Sequence, residues 1–120
     1  MGSRAERIAQ IALANASSQS QGRCGIAVRE AIEAATGMTM PRVGSAKDMG
    51  SSLVAVGFCF ADAPLQVGDV AVIQDCQGHP HGHIQVWTGS QWVSDFVQRD
   101  FWPGPKYREL QPSSVIYRLR

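Results

Sequence analysis

Two residues carry the chemistry legible in this chain. Cys24 opens an apolar helical segment, Arg23-Cys24-Gly25-Ile26-Ala27-Val28-Arg29-Glu30-Ala31-Ile32, and His83 heads the alternating stretch Gly82-His83-Ile84-Gln85-Val86-Trp87. A thiol at a helix start and an imidazole on a later strand are the two halves of a thiol-hydrolase site. Cysteine attacks as thiolate, and its free pKa of about 8.5 leaves little thiolate at neutral pH. Backbone N–H groups at a helix N-terminus and a neighbouring imidazolium both favour the anion. Cys24 is therefore the candidate nucleophile and His83 the candidate base. Gly25 leaves the approach to the thiol free of a side chain. A catalytic imidazole also needs a third group to orient its second nitrogen. Asp95 is the candidate, because a hairpin turning at Gly89-Ser90 sets residues near 83 and 95 almost opposite one another. Each residue also has a purely structural reading: a small buried hydrophobe for Cys24, a hydrogen-bonded strand start for His83, a solvent-facing carboxylate for Asp95.

The elements that must position these groups follow from periodicity. Residues 4–15 have helical spacing, with Ala5, Ile8, Ile11 and Ala12 near one face. The polar stretch Ser17 to Gly22 ends that helix and delivers the chain to Cys24. From Arg23 to Ala35 the positions Cys24, Ala27, Val28, Ala31, Ile32 and Ala35 form an inward stripe, and Gly37 ends it. Ser45-Ala46-Lys47-Asp48 resembles a capping box opening a third helix to about Val54, and Gly57 breaks it. Asp69 to Gln74 predicts a strand rich in valine and isoleucine, and Asp75 to Gly82 a Gly/Pro/His loop. His83 to Thr88 predicts a second strand, Gln91 to Ser94 its return, and Ser114 to Leu119 a last strand. Residues 101–105 read as a loop. Helices first and a strand meander second make an α+β fold with mostly antiparallel pairing.

Size and composition set the outer bounds. A chain of 120 residues suits one domain, spanning 1–120, and 44% hydrophobic with 18% charged content is that of a folded globule. A net charge of +1, with basic residues scattered, gives no electrostatic case for nucleic acid or an anionic membrane. No apolar run approaches the roughly 20 residues of a membrane span. Charges and glutamine in Arg4-Ala5-Glu6-Arg7-Ile8-Ala9-Gln10-Ile11 interrupt any secretory signal. Three cysteines are too few for a disulfide scaffold. The odd count leaves a thiol free, and if one bridge forms, Cys59 with Cys76 is the pair that spares Cys24. Trp87, Trp92, Phe101 and Trp102 are core or cleft-wall candidates, with sugar stacking a further option for Trp102.

The segments Gly22-Arg23-Cys24-Gly25-Ile26-Ala27-Val28-Arg29, Leu65-Gln66-Val67-Gly68-Asp69-Val70-Ala71-Val72 and Gly82-His83-Ile84-Gln85-Val86-Trp87 together resemble the NlpC/CHAP branch of papain-fold cell-wall peptidases. Gly-Asp before an apolar strand, then a loop, then Gly-His-hydrophobic on the next strand is the most specific part. The likeness runs from the first helix to the Trp102-Pro103-Gly104 loop. Compactness, the absent signal and the stretch Trp87 to Asp95 resemble the small amidase effectors of bacterial type VI secretion, by size their third group. That resemblance implies a papain-like α+β fold and hydrolysis of amide bonds in peptidoglycan stem peptides or cross-links, with no cofactor. It implies synthesis in the cytoplasm, delivery without a cleavable signal, and action in the periplasm of a rival Gram-negative cell. It also implies a cognate immunity protein that plugs the cleft. Cys24 carries over as nucleophile, His83 as base and Asp95 as orienting residue, at a position that varies among Asp, Glu, Asn, Gln and His across the family. No side chain matches an oxyanion donor, which leaves the backbone N–H of Cys24.

Two other classes compete. Asp75, Cys76, His79, His81 and His83 are all metal-ligand types within nine residues. Their spacing lacks the paired ligands of a tetrahedral zinc site. A catalytically inactive binding module on the same fold is the second alternative, to which a reactive thiol would be of no use.

Overall fold

The computed structural model describes residues 2–120. Helix α1 is Arg4–Asn15, opened by a capping box in which the Ser3 hydroxyl accepts from the Glu6 N–H at 3.1 Å and the Glu6 carboxylate from the Ser3 N–H at 3.0 Å. Helix α2, Cys24–Thr36, ends at Gly37, whose φ of 73° is the left-handed C-cap that its position predicts. The buried faces, Ile8, Ala9 and Ala12 on α1 and Val28, Ala31, Ile32 and Ala35 on α2, belong to one core cluster. Each large apolar side chain removed from water there contributes about 1.5–3 kcal/mol.

The expected third helix arrives in two pieces, a 3₁₀ turn at Ala46–Asp48 and helix α3 at Gly50–Ala55. Ser45 makes no cap; its hydroxyl instead pairs with His81 Nδ1 at 2.7 Å. Gly50 marks the seam, since the Tyr117 hydroxyl occupies the space a Cβ would need.

Five strands, β1 (Phe58–Phe60), β2 (Val70–Ile73), β3 (His83–Trp87), β4 (Trp92–Val93) and β5 (Ser114–Leu119), form one antiparallel sheet in the order β1-β5-β2-β3-β4. The α+β class, helices packed on a small antiparallel sheet, is as expected. β2 is buried at every position because strands flank it on both sides. Strand β1 and helix α4 (Pro105–Leu110) were not expected. β1 is only three residues, and α4 is announced solely by Gly104 and by Pro105 in its first turn.

The Gly-Asp and Gly-His signatures have structural causes. Gly68 has φ of 91° and lies so close to Ala5 of α1 that any Cβ would strike its backbone. Asp69, fully buried, is held by a two-pronged ion pair in which Arg118 Nε and an Arg118 terminal nitrogen each donate at 2.8 Å; it also accepts from the Gln66 N–H at 2.9 Å. Asp69 therefore ties the start of β2 to β5. Gly82 has φ of 66°, and a side chain there would run into the Ile73 carbonyl and into Lys47 Cβ at 2.7 Å. Register pairs Ile73 with His83, so that glycine lets the loop close tightly on β2 and fixes where His83 begins.

Candidate active site

Cys24 is the first residue of α2, and its helix start is uncapped: Arg23 at the N-cap supplies no side-chain acceptor. The first N–H groups of α2 are thus left without the usual partner and remain free for an anion. The thiol is half-buried, packed against the core cluster, with the backbone of Ile84 on β3 within hydrogen-bonding reach. It opens on a cleft of about 280 Å³ between the α2 start and the Pro41–Ala46 connection. Met49 also lines the cleft, its sulfur 3.3 Å from where a Gly25 Cβ would sit, so glycine at 25 makes room for that thioether.

His83, one residue from Ile84, is buried, and its Nε2 lies 2.7 Å from Gln98 Oε1. The identity of those atoms follows from their neighbours. Gln85 Nε2 donates to the Phe101 carbonyl at 2.9 Å, so Gln85 Oε1 faces Gln98. Gln98 Nε2 then donates to Gln85 Oε1 at 2.8 Å and to the Asp100 carbonyl at 3.1 Å. Those oxygens only accept, so the Gln98 nitrogen must face them and its oxygen must face the imidazole. An amide oxygen cannot donate; His83 Nε2 therefore carries the proton, and Nδ1 is left as the basic nitrogen. The Tyr107 ring of α4 stands 6.2 Å from the imidazole and 4.7 Å from His79, walling off that side.

Asp95 departs from the expected pairing with His83. Pairing of β4 with β3 stops at Val86↔Val93, where the chain turns back on itself with Ser94 N–H donating to the Phe96 carbonyl. This turn swings Asp95 toward the α1–α2 connection, where its Oδ2 accepts from the N–H of Gln21 (2.6 Å) and of Arg23 (3.0 Å). Asp95 anchors the loop that presents Cys24. The same turn brings Gln98 back beside β4, its N–H donating to the Trp92 carbonyl at 2.9 Å, and so into line with Gln85 and His83. Gln98 was missed because loop residues carry no periodicity. The only hint was a polar residue amid aromatics: Trp87, Trp92, Phe101 and Trp102 form a ladder of ring contacts at 5.2, 5.3 and 4.8 Å that holds this loop down.

The electrostatics differ from the expected thiolate–imidazolium pair. Burial pushes the Cys24 thiol above its ordinary value, with the Asp95 charge adding to the rise, and outweighs the N–H groups of Ile84, Gly25 and Cys24 that favour the anion. Burial pulls His83 down to about 4, against the Gln98 hydrogen bond and the Asp95 charge, which support the cation. Both shifts favour the neutral forms of thiol and imidazole. In the unfolded chain His83 binds its proton near 6.5, and in the fold only near 4. Its contribution to stability is thus complete above pH 6.5 and is lost as pH falls toward 4, at a limiting slope of about 1.4 kcal/mol per pH unit. Urea denaturation from pH 4 to 7 is expected to show this slope and His83→Gln to lack it; equal slopes would mean that the buried imidazole ionises in place.

The other ligand-type residues are dispersed. His81 pairs with Ser45, His79 stacks on Tyr107, and among the described residues no group of three His, Cys, Asp or Glu side chains converges on a common point. Cys59 and Cys76 are unpaired thiols, as is Cys24; Cys59 Sγ accepts from Arg120 Nε at 3.0 Å. No helix among the described residues is long and apolar enough to cross a membrane.

No family model matches the chain, and no curated protein matches it significantly. Solved structures do. The crystal structure of the type VI native effector–immunity complex Tae3–Tai3 from Ralstonia pickettii contains a chain 45% identical, with a TM-score of 0.93 over 97% of this chain and 98% of that one. The selenomethionine form of the complex gives 46% identity and a TM-score of 0.89 over 93% and 99%. The crystal structure of Ly7917 is 17% identical with a TM-score of 0.56, over 97% of this chain and 61% of that chain, a likeness of fold alone. At that identity, and over nearly the whole length of both chains, the protein belongs to the Tae3 family of type VI effectors.

Proposed function

We propose that the protein is an antibacterial peptidoglycan amidase, a type VI effector that hydrolyses an amide bond of stem peptides or cross-links in the periplasm of a rival Gram-negative cell. The observation that carries this reading is the uncapped α2 start bearing Cys24 against β3, where His83 is fixed by Gln98 as the Nε2–H tautomer. Family membership adds the effector context, and a cognate immunity protein covering the cleft comes from the same source.

The chemistry starts from a neutral pair. His83 Nδ1 takes the thiol proton as Cys24 Sγ attacks the amide carbonyl, and the N–H groups at the α2 start, that of Cys24 first, receive the oxyanion. The imidazolium, steadied at Nε2 by Gln98, protonates the departing amine and leaves a thioester. Nδ1 then deprotonates water, which attacks the thioester; collapse releases the acid and returns the proton to sulfur. Gln98 takes the orienting role first expected of Asp95. Asp95 acts one step back, by holding the loop at Gln21 and Arg23.

Of the two amide bonds that flank diaminopimelate on its nitrogens, the D-alanyl–diaminopimelate cross-link is favoured over D-glutamyl–diaminopimelate. Digestion of purified sacculi is expected to convert cross-linked muropeptide dimers into monomers, read by mass. Release of dipeptide-bearing fragments would move the cut to the D-glutamyl bond. An unchanged muropeptide profile would overturn the enzymatic reading.

A further inference from the structure

The cleft beside Cys24 is positively charged out of proportion to the chain. The whole protein has a net charge of +1, yet Arg23, Arg29 and Arg42 all line this cleft, and no aspartate or glutamate does. Arg29 lies on α2 five residues after the thiol, and Arg42 on the connection that forms the opposite wall. Among the described residues neither Arg29 nor Arg42 has an ion-pair partner, although four other basic side chains do. Arg29 is partly buried, and its Nε, like that of Arg108 outside the cleft, is shielded from solvent without a hydrogen-bond acceptor. A buried guanidinium N–H without an acceptor costs free energy, so its retention needs a reason. By contrast, Asp69 fully occupies the fork of Arg118.

Two guanidinium groups that line one cleft without an ion-pair partner call for an anion, and a planar guanidinium favours a carboxylate. Stem peptides provide one. Both candidate scissile bonds have diaminopimelate as the leaving amine, and that residue retains a free carboxylate in a cross-linked chain. We propose that Arg29 and Arg42 form a carboxylate subsite that holds the leaving diaminopimelyl residue next to Cys24. This assignment rests on the peptidoglycan reading given above and deepens it: the arginines are specificity residues that select free-acid over amidated stems. Ser45 and His81, on the same wall, are hydrogen-bonded to each other.

The test uses Cys24→Ala protein, which binds without turnover, and a cross-linked disaccharide-peptide dimer in two forms, with free or amidated diaminopimelyl carboxylates. Arg29→Gln and Arg42→Gln are each expected to weaken binding of the free-acid dimer by about tenfold, and the pair by more. Arg29→Lys keeps the charge without the fork and should fall between. Amidated dimer should bind all of these proteins alike, as weakly as the free acid binds the double variant. Arg42 is exposed, so its replacement leaves the fold unchanged, and circular dichroism checks Arg29→Gln. The subsite is overturned if the double variant binds free acid as tightly as the parent, if amidation has no effect on the parent, or if neither dimer binds. Turnover by the unsubstituted protein is scored separately. Arginine- and carboxylate-dependent binding without hydrolysis would sink the enzyme and keep the subsite; hydrolysis indifferent to both would do the reverse.

Discussion

Cys24→Ala is expected to leave the fold standing and to abolish lysis when the protein is directed to the periplasm of a Gram-negative host. Loss of a covalent nucleophile costs about 10⁴- to 10⁶-fold in turnover, with any residue of activity coming from binding and the oxyanion donors. The stability cost is small for three reasons. Cys24 is only half-buried, one sulfur atom is removed, and alanine is the best helix former. A change below about 1 kcal/mol is expected from the urea midpoint. Muropeptide release measured beside that midpoint separates the two effects. Hydrolysis surviving at even a hundredth of the parent rate would remove Cys24 from the chemistry. On the peptidoglycan reading, the same protein confined to the cytoplasm should be nearly harmless, because that substrate lies outside.

The second large effect is expected at Gln98. Gln98→Leu keeps the volume but removes the acceptor for His83 Nε2–H and the donor for Gln85 Oε1 and the Asp100 carbonyl. Stability should fall by about 1–3 kcal/mol for each buried group left unpaired. The catalytic loss should be larger, about 10²- to 10³-fold in kcat, because the imidazole is no longer held with Nδ1 as the base. A merely structural role would leave the pH profile where it was. Here the Gln98 hydrogen bond supports the imidazolium, so its loss should push the acid limb of the profile to lower pH. Asp95→Asn is the companion measurement. An amide oxygen can still accept from the N–H groups of Gln21 and Arg23, so a loss of no more than about tenfold is expected. If Asp95→Asn proves the more damaging of the two, the orienting role returns to Asp95.

What was legible beforehand divides along physical lines. Helices α1 and α2 repeat one period for long enough to be read, strands β2, β3 and β5 show as β-branched or alternating runs, and Gly37 and the Gly89-Ser90 turn punctuate them. Juxtaposition of Cys24 with β3 followed from the order of those elements. Placing Asp95 opposite His83 extended the hairpin past Val93; the observed register ends there, and the Asp95 carboxylate accepts from the Gln21 and Arg23 N–H groups. Gln98 depends on that turn, on Gln85 and on accepting carbonyls of an aromatic-pinned loop, none of which shows as a local pattern. The thiolate expectation meets an opposing effect in the fold. The helix-start N–H groups are where they should be, but burial outweighs them.

The strand order has a consequence for synthesis. β5 is the latest strand in the chain, yet it lies inside the sheet, with β1 on one side and β2 on the other. A nascent chain that has not yet released residues 114–119 from the ribosome has β1 with no neighbour and β2 with an open edge. It also lacks Arg118 for the buried Asp69 carboxylate. Contacts this distant along the sequence carry a large loop-closure cost and slow folding. The sheet is therefore completed only when β5 inserts between β1 and β2 and brings Arg118 to the Asp69 carboxylate.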